Sequence, residues 1–139
     1  MIGDNVVLAR SSTGTADVLG SGVFNNSLLE MHGVLVGANT GRADAPSGVA
    51  QGGGIWSGVD LSGPDVQLTL DHSALLGNRI AATAGITPQG GGLYTTTPAT
   101  LTATRIAFNL PDQCVGCSPA MHKRSLPRVH RPPRPTRSL

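Results

Sequence analysis

Residues 52–57 read GGGIWS, and the same pattern occurs as GSGVFN at 20–25 and GGGLYT at 90–95. Each copy runs glycine, small residue, glycine, aliphatic, aromatic, polar. Three of the four aromatic residues of the chain, Phe24, Trp56 and Tyr94, fill the one aromatic slot. A glycine run before large apolar side chains raises the alternative of a phosphate-cradling loop. A dinucleotide fingerprint needs a further glycine at fixed spacing, a strand before the run and a helix after it. Here that glycine is displaced, and turn residues followed by a strand pattern come next. Three copies in one chain also make no sense as three nucleotide sites. The run is architecture.

A second motif follows each glycine run: LLEMHGVLVGAN ending at Asn39, TLDHSALLGN at Asn78 and LTATRIAFN at Asn109, with MIGDN at the start matching the end of the same unit. Three places before each Asn stand Ile2, Val36, Leu75 and Ile106. Eight places before stand Met31, Leu70 and Leu101; ten before, Leu29, Leu68 and Ala99. Glu30, His32, Thr69, Asp71, Thr100 and Thr102 fall between them. This in–out alternation is the signature of a half-buried strand. The Asn positions lie 34, 39 and 31 residues apart, and the unevenness is assigned to loops such as 57–67. Strand-rich repeats of this length predict a solenoid whose units complete their core by stacking. Like residues then sit above like: an aromatic ladder through Phe24, Trp56 and Tyr94, and an amide ladder through Asn5, Asn39, Asn78 and Asn109. Asn tolerates the left-handed backbone of a sharp corner and can bond to the amide of the next coil. The expected core is Leu29, Met31, Val36, Leu68, Leu70, Leu75, Leu101 and Ile106.

The pattern G-G-G-I-[WY] followed by L-T-L-x-x-S-x-L-x-G-N resembles the right-handed parallel β-helix repeats of the pectin-lyase-like superfamily. It is most similar to the repeat-rich bacterial secreted and surface proteins with GGGIY and SGN motifs. The resemblance covers residues 1 to about 117; Ala38 and Phe108 depart from it by replacing the glycine before Asn, and the 57–67 insertion breaks the spacing. It implies an all-β chain, a right-handed parallel β-helix (solenoid) of about three to four coils. At ~4.8 Å per coil such a stub is under roughly 20 Å tall and leaves open sheet edges at its ends. A chain that starts inside a repeat is expected to be a fragment of a longer solenoid.

The function implied is that of a non-catalytic module of a secreted or cell-surface protein, structural, adhesive or binding surface polysaccharide or another surface protein. Its location is then extracellular or at the cell surface, although MIGDNVVLAR lacks the layout of an export signal. The alternative is a remnant of a polysaccharide lyase or glycoside hydrolase of the same superfamily. Those enzymes use clustered acids, with calcium and an Arg base in lyases, or carboxylates flanking a sugar bond in hydrolases. The candidates for catalysis are Glu30, His32 and Asp71; His32 and Asp71 share a slot on successive coils, with Cβ atoms roughly 5 Å apart. Asp60, Asp65 and Asp71 are the candidate calcium ligands, calcium being the cofactor of the lyase alternative alone. The competing reading is a solvated face with one cross-coil His–Asp pair. No family catalytic motif matches a position here.

Only 13% of residues are charged, and no run of 18 apolar residues offers a transmembrane segment. Residues 1–117 carry four bases against eight acids, whereas 118–139 carry six bases, no acid and five of the ten prolines. The tail is expected to be disordered and free to contact anionic surfaces. It has no aromatic residue to stack on bases, so no specific nucleic acid is implied. A third reading makes this basic tail the binding element and the β-helix its carrier. Cys114 and Cys117 form a lone CVGC, either a small disulfide closing the last coil or two unpaired thiols. A zinc site with His122 and His130 has too wide a His spacing. The chain thus divides into a repeat region, 1–117, and a Pro/Arg-rich tail, 118–139. Limited trypsin digestion is expected to remove the tail quickly and leave a resistant core ending near Cys117. A tail that survives as long as the Arg79 and Arg105 sites overturns the boundary.

Overall fold

The computed structural model describes residues 1–59 and 65–118, and every regular element in it is a strand. Asp60 and the tail from Pro119 onward, with His122 and His130, lie outside the described residues. Strand β1 (Ile2–Gly3) leads into a first complete pass of the chain: β2 (Val6–Arg10), β3 (Thr15–Leu19), β4 (Val23–Asn25), β5 (Leu28–His32) and β6 (Leu35–Gly37). The second pass is β7 (Thr40–Asp44), β8 (Ser47–Gln51), β9 (Ile55–Ser57), β10 (Gln67–Asp71) and β11 (Ala74–Leu76). The third is β12 (Arg79–Ala82), β13 (Pro88–Gln89), β14 (Leu93–Thr95), β15 (Ala99–Thr102) and β16 (Arg105–Ala107), followed by β17 (Cys114–Val115).

All ladders are parallel, and each joins a strand to the one five places on, except that β17 closes directly on β14. Five stacked sheets result: β1-β6-β11-β16, β2-β7-β12, β3-β8-β13, β4-β9-β14-β17 and β5-β10-β15. Their register is the one read from the repeats. Val36 pairs with Ile2 and Leu75, and Leu75 with Ile106. Leu70 pairs with Met31 and Leu101, and Trp56 with Phe24 and Tyr94. The uneven spacing falls where a corner lengthens: nine residues separate β9 from β10, against two between β4 and β5 and three between β14 and β15.

Met31, Val36, Leu68, Leu70 and Leu75 are buried with Ile55 and Leu93 in one cluster. Leu29, Leu101 and Ile106 pack against it half-buried. A second cluster, between the sheets of β2-β7-β12 and β3-β8-β13, consists of small residues, Ala16, Ala43, Ala45 and Ala50, with Val18, Ile80 and Ile86. Its small side chains bring the two sheets close.

Between the sheet of β1-β6-β11-β16 and that of β2-β7-β12 runs the amide column. The side-chain amide of Asn5 donates to Asn39 Oδ1 at 2.8 Å, Asn39 to Asn78 at 2.9 Å and Asn78 to Asn109 at 2.9 Å. The backbone N–H of each donor Asn converges on the same oxygen. The left-handed backbone that turns this corner belongs to the residue before Asn rather than to Asn itself: Asp4, Ala38, Gly77 and Phe108 have φ of 60°, 55°, 66° and 61°. The glycine runs meet the column from within. A Cβ on Gly22, Gly54 or Gly92 would lie 2.7–2.9 Å from the amide nitrogen of Asn39, Asn78 or Asn109 respectively. The first glycine of each run, Gly20, Gly52 or Gly90, turns the chain at φ of 66–72°. The phosphate question is thereby answered: these glycines make room for asparagine.

The column stops at a substitute. Gln113 Oε1 accepts from both the backbone and side-chain N–H groups of Asn109 at 3.1 Å, and its Nε2 donates back to the Asn109 carbonyl at 3.0 Å. The Asp112 carboxylate accepts from the amides of Gly90 and Gly91, both at 3.2 Å. Leu110 forms one last bridge to Arg79. Pro111 has no N–H to extend that ladder, and the chain crosses to β14.

Two stability measurements follow. Leu70→Ala should cost about 2–5 kcal/mol by chemical denaturation, as for other buried leucines. Ala38→Gly should stabilise by about 1 kcal/mol, since it relieves a left-handed alanine on an exposed corner. A Cβ at the equivalent Gly77 meets nothing within 4 Å, so the penalty is torsional.

Candidate functional site

The outer face of β5-β10-β15 carries the charged side chains singled out from sequence. Alternation puts Leu68 and Leu70 inward and Thr69 and Asp71 outward, and the register sets Asp71 beside His32. Asp71 Oδ2 lies 3.3 Å from His32 Nδ1, and its Oδ1 lies 2.8 Å from Nδ1 of the adjacent His72. His72 occupies a left-handed position at φ 46°, matching Gly33 and Ala103 at the same corner of the other passes. That backbone swings its imidazole toward the preceding carboxylate. Sequence reading paired Asp71 with His32 and missed His72, because period-two alternation assigns neighbours to opposite faces and does not anticipate the corner.

The His72 contact first, and the His32 contact second, hold the Asp71 carboxyl below the usual carboxylate range against the opposing effect of burial. Such a carboxylate stays ionised and acts as an acceptor or an electrostatic partner, not as a proton donor at neutral pH. Glu30 is the register partner of Thr69 and stands diagonally from Asp71 across the ladder. The hydrogen bonds and ion pairs of this cluster join Asp71 to His32 and His72, and none of them includes Glu30.

The long corner between β9 and β10 borders an open pocket of about 390 Å³ lined in part by Val59, Asp65, Gln67, Thr69, Thr97 and Thr100. Asp65 lines this pocket, and Asp71 makes the histidine contacts. Asp60 lies outside the described residues, and among those described no group of three or more His, Cys, Asp and Glu side chains could hold a metal ion. On β7, the Arg42 guanidinium first, and Arg10 less, keep the Asp44 carboxyl low. Exposed pairs of this kind contribute little to stability. Cys114 and Cys117 are joined by a disulfide with Cα atoms 5.9 Å apart, across the end of β17. Among the described residues no helix is long and apolar enough to cross a membrane.

No protein-family model matches the chain, and no curated protein or solved structure matches it either.

The carboxyl of Asp71 should titrate below an ordinary aspartate in a carbon-detected NMR pH series. His72→Ala should raise its midpoint more than His32→Ala. The sign for stability follows: the folded carboxyl titrates below the unfolded one. Its contribution is therefore complete above the unfolded carboxylate range and is lost as pH falls through the folded pKa.

Proposed function

We propose that residues 1–117 form a right-handed parallel β-helix module of the pectin-lyase-like type, with a structural or adhesive role in a secreted or cell-surface protein. The buried amide column carries this reading. Four asparagines at equivalent corners bond in series, with Asn39, Asn78 and Asn109 at 0–1% exposure, which commits the repeat to stacking. The parallel pairing of strands five places apart supports the same architecture. The Cys114–Cys117 disulfide suits an oxidising compartment. The outward residues of β10 and β15, Thr69, Asp71, Thr100 and Thr102, offer hydroxyls and a fixed carboxylate to a polysaccharide or protein surface.

Affinity electrophoresis in gels containing acidic and neutral polysaccharides tests the role, run beside a calcium-supplemented activity screen on the same polymers. Retarded migration without turnover is the expected result, and His32→Ala with His72→Ala should reduce the retardation. Unsaturated uronide or reducing-sugar release at catalytic rates would instead support the lyase or hydrolase remnant.

A further inference from the structure

The outer face of the β1-β6-β11-β16 sheet is unlike the others. Val36, Leu75 and Ile106 point into the core, so alternation turns Leu35, Ala74, Leu76 and Ala107 outward and leaves them half-buried. Arg105 is the only charged residue on these strands, and no other side chain of the face can donate or accept a hydrogen bond. The β5-β10-β15 face, by contrast, displays Glu30, His32, Thr69 and Asp71.

The apolar face continues around the amide corner into Phe108 and Leu110, which are 73% and 53% exposed. That exposure is lateral and does not come from the end of the stack. The equivalent corner between the second and third passes is also open: a Cβ added at Gly77 would meet nothing within 4 Å. Phe108 is held at φ 61°, a left-handed backbone that a bulky side chain rarely adopts and that Gly77 occupies freely. The fold needs no ring at this position. The Arg105 guanidinium lies 5.4 Å from the Phe108 ring centroid, and Leu110 is the register partner of Arg79. The ion pairs show the same bias. Arg10 and Arg42 both pair with Asp44, whereas no carboxylate among the described residues pairs with Arg79 or Arg105.

We propose that this face, from Leu35 and Leu76 to Phe108 and Leu110, is a docking surface for an anionic lipid membrane. Phe108 and Leu110 enter the boundary between headgroups and acyl chains. Arg79 and Arg105 pair with lipid phosphates while their alkyl stems stay against apolar surface. A polysaccharide is a poor occupant, because the face offers it no hydroxyl, amide or carboxylate. A soluble anion would use the two guanidiniums and leave the exposed ring without a role. Stable membrane attachment takes an apolar contact together with basic charge, and residues 118–139 supply more of the latter, with six bases and no acid. The inference rests on this face and on the charge of the chain, and is independent of the polysaccharide contacts proposed for β10 and β15.

Sedimentation of the full chain with lipid vesicles tests the proposal. Vesicles of phosphatidylglycerol and phosphatidylcholine in equal parts should carry the protein down, and phosphatidylcholine alone should not. Phe108→Gly should weaken that binding about tenfold, the effect of roughly 1.4 kcal/mol of apolar burial. Its thermal midpoint should stay at or above that of the parent chain, because glycine relieves the left-handed backbone. Arg79→Gln and Arg105→Gln should each weaken binding about fivefold. Phe108→Trp should give tryptophan fluorescence that shifts to the blue on anionic vesicles, against a constant background from the buried Trp56. Failure to sediment with anionic vesicles overturns the proposal. So does sedimentation that Phe108→Gly leaves undiminished, which would assign it to the basic tail. Equal binding to both kinds of vesicle overturns it too, as does self-association that Phe108→Gly abolishes, which would make a second copy the occupant.

Discussion

A single amide geometry underlies the stack. Each interior Asn presents two N–H donors and one oxygen, and each of these is used. One side-chain N–H of Asn39, Asn78 and Asn109 reaches the next amide oxygen in the column, and the other reaches the carbonyl of Ile2, Val36 and Leu75 in turn. Leaving such groups unpaired in the interior would cost roughly 1–3 kcal/mol apiece. The column therefore fixes register as well as contributing stability. A slip of one residue would take every Asn out of reach of its neighbour and turn the alternating strands inside out at once. Aspartate could not replace an interior member, since its ionised carboxylate has no proton to pass along.

The rest of the architecture accommodates that column. The glycine at the third position of each run leaves space where a methyl group would strike the amide, and the first glycine turns the chain into that space. The aliphatic and aromatic residues that follow are carried to opposite faces, Ile55 and Leu93 into the core and Phe24 onto the outside against Trp56. Length variation falls at corners outside the amide column, whose turn keeps two residues in every pass. This is why the nine-residue connection before β10 leaves the pairing of Leu68 and Leu70 undisturbed.

Most of this was legible in the sequence because stacking turns a spatial relation into a periodic one. Phe24, Trp56 and Tyr94 could be aligned by eye, and so could Asn5, Asn39, Asn78 and Asn109. What escaped were features that occur once or that depend on backbone torsion. Gln113 and Asp112 close the column by imitating the next coil with side chains, so no repeat announces them; a Gln four residues after the last Asn was the available sign. The left-handed residue precedes Asn, and only Gly77 among the four equivalents betrays it by composition. The alanine-rich cluster around Ala43 and Ala50 follows no pattern of large apolar residues. Of the candidate site residues, the His32–Asp71 contact was foreseen from a shared slot. His72 was not, because its orientation comes from a corner rather than a strand.

The constant distance between partners along the chain has a kinetic consequence. Strands that pair across neighbouring passes are 31–39 residues apart whichever pass they belong to. Closing loops of that size slows the first pairing, because chain entropy is lost before any ladder forms. Once two passes have met, each later one closes a loop of the same size onto an edge already in place. Folding of such a chain is a growth process with a slow start, and its rate is set by the first closure rather than by total length. The two closures hardly differ in this respect: the second pass meets the first across 32–39 residues and the third meets the second across 31–39.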